Sequence, residues 1–386
     1  MRDAELLEKL TKWRRDLHQI PEAALCEEKT SRYILSELKP LKPDKLETMA
    51  GTGIRCVFYG KNRERSIAFR ADMDALSVQE ETGAPFKSQH ESFMHACGHD
   101  GHMAMALATA QYAAALRDEG SLPVNAVILF QPAEESVGGA LPMIESGALN
   151  DPDITYVFGC HMMPDKPLGK ISLKSGAMMA STCELDIEFT GSSAHGAMPH
   201  SGNDAIAAFA SFYSMAQTAI SRLMSPTESA LFSVGKVTAG DRRNIIAEKV
   251  VAEGIARAFS PESAQKLEEI IAECAEKAAS VYGVKARFIP RMRYPATVND
   301  DFCAREVMGL AGESFVPQEQ LMIAEDFSHF LERVPGAYFY VGCGDEAHNH
   351  SLHSSRFNFD ERALLTGALL QRKILRHFAE IADRDV

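Results

Sequence analysis

Val124-Asn125-Ala126-Val127-Ile128-Leu129-Phe130-Gln131-Pro132-Ala133-Glu134-Glu135 is an apolar run that stops at Gln-Pro and ends in two acids. A short continuous apolar run is the pattern of a strand buried on both faces. The arrangement recurs twice: Ser66–Arg70 leads into Asp72-Met73-Asp74, and Tyr156–Cys160 leads into His161. Three predicted strands that deliver acids or imidazole at their carboxyl ends describe an α/β sheet with its functional residues gathered there. Ile54–Tyr59 reads as a further strand. Leu6, Leu7, Leu10, Trp13 and Leu17 recur at helical spacing, Pro21 interrupts, and Thr30–Leu38 resumes the helical pattern.

Beyond residue 180 the periodicity changes. Cys183–Thr190 alternates as a half-buried strand, Asn203–Ser221 is helical, and Ala230–Val237 alternates again. Lys249–Phe259 predicts a strand, Pro261–Tyr282 a long helix and Ala286–Arg293 a last strand. The order β-α-β-β-α-β is the ferredoxin-like pattern. The expected organisation is therefore a discontinuous α/β domain, residues 1–177 and 294–386, interrupted by an inserted domain at residues 178–293.

The whole-chain properties narrow the function. With 386 residues the chain is too long for one ordinary core, and 46% apolar residues without a low-complexity tract fit a globular protein. A net charge of −13 argues against nucleic acid and anionic membranes as partners. The N-terminus, Met1-Arg2-Asp3-Ala4-Glu5, has no apolar core of a signal peptide, and no apolar run of about eighteen residues is present. The eight cysteines are dispersed, which fits reduced thiols and a cytoplasmic location better than a disulfide framework.

The chemistry concentrates in Met94-His95-Ala96-Cys97-Gly98-His99-Asp100-Gly101-His102, expected to open a helix that runs to Leu116. Cys and His ligate zinc-like metals, and carboxylates suit harder ions such as manganese. The Cys97-x-His99 spacing is not the C-x₂-C of a structural zinc site, and no second cysteine pair completes one. A nucleophilic Cys97 with His95 or His99 as base is the competing chemistry. Glu134-Glu135 taken alone is a solvated acidic turn. After an apolar strand and Gln-Pro, it suits one carboxylate on metal and the other on proton transfer. Asp72 and Asp74 could cap the next turn or orient an imidazole, and Asp326 could be an outer acceptor or a helix cap. Arg243 and Arg257 could pair a substrate carboxylate. Spacing alone does not choose among His348, His350 and His353.

Six motifs in order carry a resemblance to a known family: Arg70–Leu76, Met94–His99, Gln131–Glu135, Ala194-His195-Gly196-Ala197-Met198-Pro199-His200, Ala324–Phe327 and Leu352-His353-Ser354. The chain resembles the aminoacylase/carboxypeptidase-G superfamily of dinuclear metallohydrolases, in the branch of hippurate hydrolases, indole-acetyl-amino-acid amidohydrolases and N-acetyldiaminopimelate deacetylases. The resemblance implies Cys97, His99, Glu135, His161 and His353 as ligands of two divalent metal ions per subunit (zinc, manganese, nickel or cobalt), with Cys97 bridging. It implies Glu134 as general base, Asn244 as a substrate-binding residue, and a homodimer formed through the inserted domain. His195 would then reach the partner's active site and donate a hydrogen bond to the developing oxyanion. Asn244-Ile245-Ile246-Ala247 departs from the family's Asn-Val-Ile-Pro, and Ser77 stands where many relatives have Pro; neither touches a ligand. The expected activity is hydrolysis of N-acyl-amino acids. Two metals sharing a water would bring its pKa from 15.7 to roughly 7. A metallo-dipeptidase and a catalytically silent amino-acid-conjugate binder are the alternatives.

Overall fold

A computed structural model describes residues 2–382 of the chain. The first part of the chain forms α1 (Asp3–His18), α2 (Glu28–Leu38), β1 (Lys45–Met49), β2 (Gly53–Phe58), β3 (Asn62–Asp72), α3 (His99–Asp118), β4 (Val124–Gln131), α4 (Ala140–Glu145), β5 (Tyr156–Pro167) and β6 (Ile171–Leu173). β7 (Gly176–Met179) leads into β8 (Thr182–Thr190), α5 (Ala205–Leu223), β9 (Ala230–Ala239), β10 (Lys249–Ala258), α6 (Pro261–Tyr282) and β11 (Lys285–Tyr294). The chain returns through β12 (Thr297–Asn299) to α7 (Asp301–Ala311), β13 (Phe315–Pro317), α8 (Ser328–Leu331), β14 (Gly336–Gly344) and α9 (Arg362–Ala382).

Two compact units result. One comprises Met1–Gly176, Val298–Glu319 and Asp326–Val386; the other comprises Ala177–Thr297 and Gln320–Glu325. The short segment Gln320–Glu325 escaped the sequence reading. It joins the second unit because Leu321 N donates to Met178 O, and Ala180 N donates to Leu321 O and Ile323 O.

The first unit is built on a mixed sheet of order β1-β2-β4-β3-β5-β14-β6-β13. Its four middle strands, β4, β3, β5 and β14, run parallel, and β4 and β14 are buried almost throughout, as continuous apolar runs require. The chain steps from β3 to β4 on one side and then to β5 on the other side of β3. The carboxyl ends of these strands thus surround a reversal of strand order, where α/β sheets form their sites. α3 is buried on nearly every side from His99 to Ala110; such a helix needs no polar face, which accounts for its run of Ala and Met.

The second unit has the expected ferredoxin-like form: β8-α5-β9-β10-α6-β11 folds into an antiparallel sheet of order β11-β8-β10-β9. Leu185, Ile187 and Phe189 of β8 pack with Phe212 of α5 and Leu267 and Ile271 of α6. Helix boundaries follow local chemistry: Asp204 accepts from Ile206 N and Ala207 N to start α5, Ser260 and Pro261 start α6, and Gly283 at φ 64° ends it. Among the described residues no helix is long and apolar enough to cross a membrane.

Candidate metal centre

Three parallel strands and one loop deliver the candidate ligands to one place in the first unit. Cys97 and His99 flank Gly98, which sits at φ 85° at the start of α3, where a Cβ would come within 3.1 Å of Met162 Cβ. Only glycine meets both demands without strain. Glu134 and Glu135 follow β4. His161 lies inside β5 rather than at its end, since β5 runs on to Pro167 alongside β14. Its pairing with β3 stops at Gly159, however, so on that side His161 is beyond the strand pair. His353 follows β14 and carries φ 65°, while Ala133, just before the acidic pair, carries φ 59°. Left-handed non-glycine residues cost free energy and cluster at functional sites; both of these adjoin the cluster. His353 is held by its N–H, which donates to Ala96 O.

The donor atoms converge. Cys97 Sγ lies 3.3 Å from His161 Nε2 and 3.2 Å from His353 Nε2. Glu135 Oε1 lies 3.3 Å from His353 Nε2 and 3.8 Å from His99 Nε2. His99, Glu134 and Glu135 also bring ligand atoms within metal-binding reach of one another. Donors at 2.0–2.3 Å around a tetrahedral ion stand about 3.3–3.8 Å apart, so these separations suit shared cations. His99 Nε2 is buried and lacks a hydrogen-bond partner among the described residues. Native interiors rarely leave such atoms unused, so the donor set fits divalent metal.

Electrostatics point the same way. Burial together with the Glu135 and Glu134 carboxylates pushes the Cys97 thiol well above its ordinary range. Burial would lower His99, but Asp72, Asp74 and Glu135 outweigh it and raise its pKa to about 10. Burial brings His161 down to about 3. Glu135, despite burial, is held at about 2 by His353 and His99. Carboxylates thus create a field that favours positive charge where the ligand atoms meet.

The supporting acids behave in different ways. Asp74 accepts from Glu134 N at 3.0 Å and from Glu135 N at 2.9 Å, while its carbonyl accepts from His99 Nδ1 at 2.9 Å. It therefore fixes both glutamates and turns His99 Nε2 toward the cluster. Asp72 accepts from Arg70 and His102. Asp326 is more distant support: it accepts from Arg70, Gln131, Gly139 N and Ala140 N, and so anchors the chain after the acidic pair. Sequence reasoning missed Glu27 and Asp100 here, and it read His102 as structural or supporting rather than as a ligand. Glu27 accepts from Ala133 N and Thr52, holding the left-handed turn. Asp100 accepts from Arg14 at 2.9 Å and His18 at 2.8 Å, tying the start of α3 to α1. His102 bridges Asp72 and Met162 N. An Asp in a first helical turn was the only visible signal for Asp100; Glu27 had none.

The remaining candidates lie in the second unit. Asn244 O accepts from Gly196 N at 2.8 Å, and His195 and Ile245 form a β-bridge, so His195, Arg243 and Asn244 come together at an exposed turn. Ala197 N donates to His195 Nδ1. Arg257 stands apart on β10, with a buried Nη1 that has no hydrogen-bond partner among the described residues.

Residues 68–377 match the family model described as Peptidase family M20/M25/M40. The chain belongs to this family. It is 36% identical over 365 residues to the N-acetyldiaminopimelate deacetylase of Bacillus subtilis (strain 168), covering 93% of this chain and 96% of that one. The N-acetyldiaminopimelate deacetylase of Listeria monocytogenes serotype 4a (strain HCC23) is also 36% identical, covering 91% and 94%. Among solved structures, a dinuclear metal-binding M20 peptidase from Bacillus subtilis superposes with a TM-score of 0.84 at 31% identity, covering 98% of this chain and 99% of that one. This M20 chain is thus an amidohydrolase with a mixed α/β fold and a cluster of side chains suited to hold metal.

Proposed function

We propose that this M20 chain hydrolyses the amide bond of N-acyl-amino acids, with an N-acetylated diamino acid such as N-acetyldiaminopimelate the first substrate to test. The observation that carries the reading is the position of Glu134. Its carboxylate comes within reach of His99 and Glu135 beside the other candidate ligands, and Asp74 holds the backbone of both glutamates. Cys97, His99, Glu135, His161 and His353 would hold two divalent cations. Such cations, when bound, polarise an amide carbonyl and acidify a water. Glu134 then accepts the proton of the attacking water and passes it to the departing nitrogen, a transfer worth about 10²–10⁴ in rate. His195 serves the oxyanion from a second copy of the chain, and Asn244 with Arg243 or Arg257 takes the substrate carboxylate. The N-acyl specificity is supported by the names of the relatives that match over most of their length.

The test is amine release from N-acetyl, N-benzoyl and indole-acetyl amino acids, N-acetyldiaminopimelate and simple dipeptides, before and after chelation. Chelator-sensitive release from the N-acyl compounds is expected. Release from dipeptides alone overturns the substrate class, and full activity after complete metal removal overturns the mechanism.

A further inference from the structure

Rings other than the candidate ligands also crowd the site, and one has its protonation dictated by the backbone. We infer that His102 is a positioning residue: a neutral imidazole, locked with its proton on Nδ1, that fixes the Met162 backbone and through it the aim of His161. The inference rests on the metal-dependent reading above and extends it to a residue outside the ligand set.

The Met162 N–H points to His102 Nε2 at 2.8 Å. A backbone N–H only donates, so Nε2 must offer a lone pair and the ring proton must sit on Nδ1. Nδ1–H then donates to Asp72 Oδ1 at 2.6 Å. Asp72 is itself held by Arg70 at 2.6 Å, and Arg70 by Gln131 and Asp326. The carbonyl of the same Met162 accepts from His161 Nδ1 at 2.7 Å, which leaves the His161 Nε2 lone pair toward Cys97 Sγ. Both backbone groups of one residue are thus claimed by imidazoles: a supporting one from α3 and a candidate ligand from β5. The two rings lie 4.6 Å apart at 63°. A protonated or flipped His102 would oppose N–H to N–H in a fully buried place and release Met162. Arg70, Asp72, His102 and Met162 therefore form a rigid line from the sheet to His161. Groups that orient metal ligands from outside typically contribute 10–100-fold to metal affinity.

Two variants separate positioning from space-filling. His102→Phe keeps a ring and loses both hydrogen bonds. His102→Gln keeps one N–H donor and one oxygen acceptor for the same partners. Cobalt(II) affinity is measured on purified metal-free protein by competition with a chromogenic chelator, together with the visible ligand-field spectrum. His102→Phe should bind about 10–100-fold more weakly with an altered spectrum, and His102→Gln should recover affinity and spectrum. His102→Phe that binds like the parent, or folded His102→Gln as weak as His102→Phe, overturns the inference. Nitrogen-15 NMR of histidine-labelled metal-free protein gives an arm independent of any variant's folding. A neutral His102 protonated at Nδ1 is expected, and a proton on Nε2 overturns the inference. A parent protein that binds no cobalt sinks the metalloenzyme reading instead, and the NMR tautomer still decides the role of His102.

Discussion

Asp74→Asn is a change of one atom whose effect can be worked from the structure. The Asp74 side chain is fully buried, and its two oxygens each accept one backbone N–H, from Glu134 and from Glu135. The amide keeps one acceptor and turns an NH₂ toward the other N–H, which is left without a partner. A hydrogen bond to a charged group is worth about 1.5–3 kcal/mol. If that energy holds the glutamates in place, its loss appears in transition-state binding at one decade per about 1.36 kcal/mol. The expected fall in kcat/KM is thus about 10–150-fold, with near-normal circular dichroism, because the strands are held by their own ladders. Metal content measured alongside should fall less than activity, since only one of the five candidate ligands is displaced. Activity within about threefold of the parent would refute the idea that Asp74 presents the acidic pair.

Glu134→Gln should retain metal and lose about 10²–10⁴ in kcat, checked by metal analysis and steady-state kinetics. His195→Ala should leave metal content unchanged and lower kcat by about 10²–10³ if it serves an oxyanion. Mixed His195→Ala and Glu134→Gln chains should then recover activity in proven heterodimers. Glu80→Gln tests a pH effect at a carboxylate outside the candidate ligand set. Burial acts to raise the Glu80 pKa, but His18 at 3.4 Å, Thr82 and Ser88 N outweigh it and bring it to about 2. A depressed carboxylate stabilises the fold above its ordinary 4.5 and loses that contribution as pH falls toward 2. The parent should exceed Glu80→Gln by about 1–2 kcal/mol at neutral pH, after allowance for solvent screening. Urea titrations should find the gap closing between pH 4.5 and 2; a gap that does not vary with pH would refute the assignment.

The parallel core was legible because fully buried strands must be apolar throughout, and the insertion because its strands alternate and its helices keep a helical period. β1 was not legible: its pattern is half exposed and pairs only with β2. α7 was overlooked although Asp300 caps it in sequence as in structure. The extension of β5 past His161 depends on β14, a partner far along the chain, which no local window contains. At the site, residue types and motif order pointed to the ligands, whereas the ties through Glu27, Asp100 and His102 are contacts between distant segments. Asp326 illustrates the limit: its partners Arg70, Gln131 and Gly139 lie about two hundred or more positions away.

The place of β14 has a consequence for the order in which the chain can mature during synthesis. It lies between β5 and β6, strands made more than a hundred and fifty residues earlier, and pairs with both. Until residue 344 has left the ribosome, those two strands present unpaired edges, the kind of surface that invites wrong partners. The whole inserted unit is translated while that gap stands open. His353 emerges later still, so a nascent chain can hold Cys97, His99, Glu135 and His161 without the last candidate ligand. Early metal capture by such a chain would meet an incomplete set, and an interrupted chain would expose both an adhesive edge and a loose thiol. Closure of the sheet and completion of the donor set thus fall within the same few residues of synthesis.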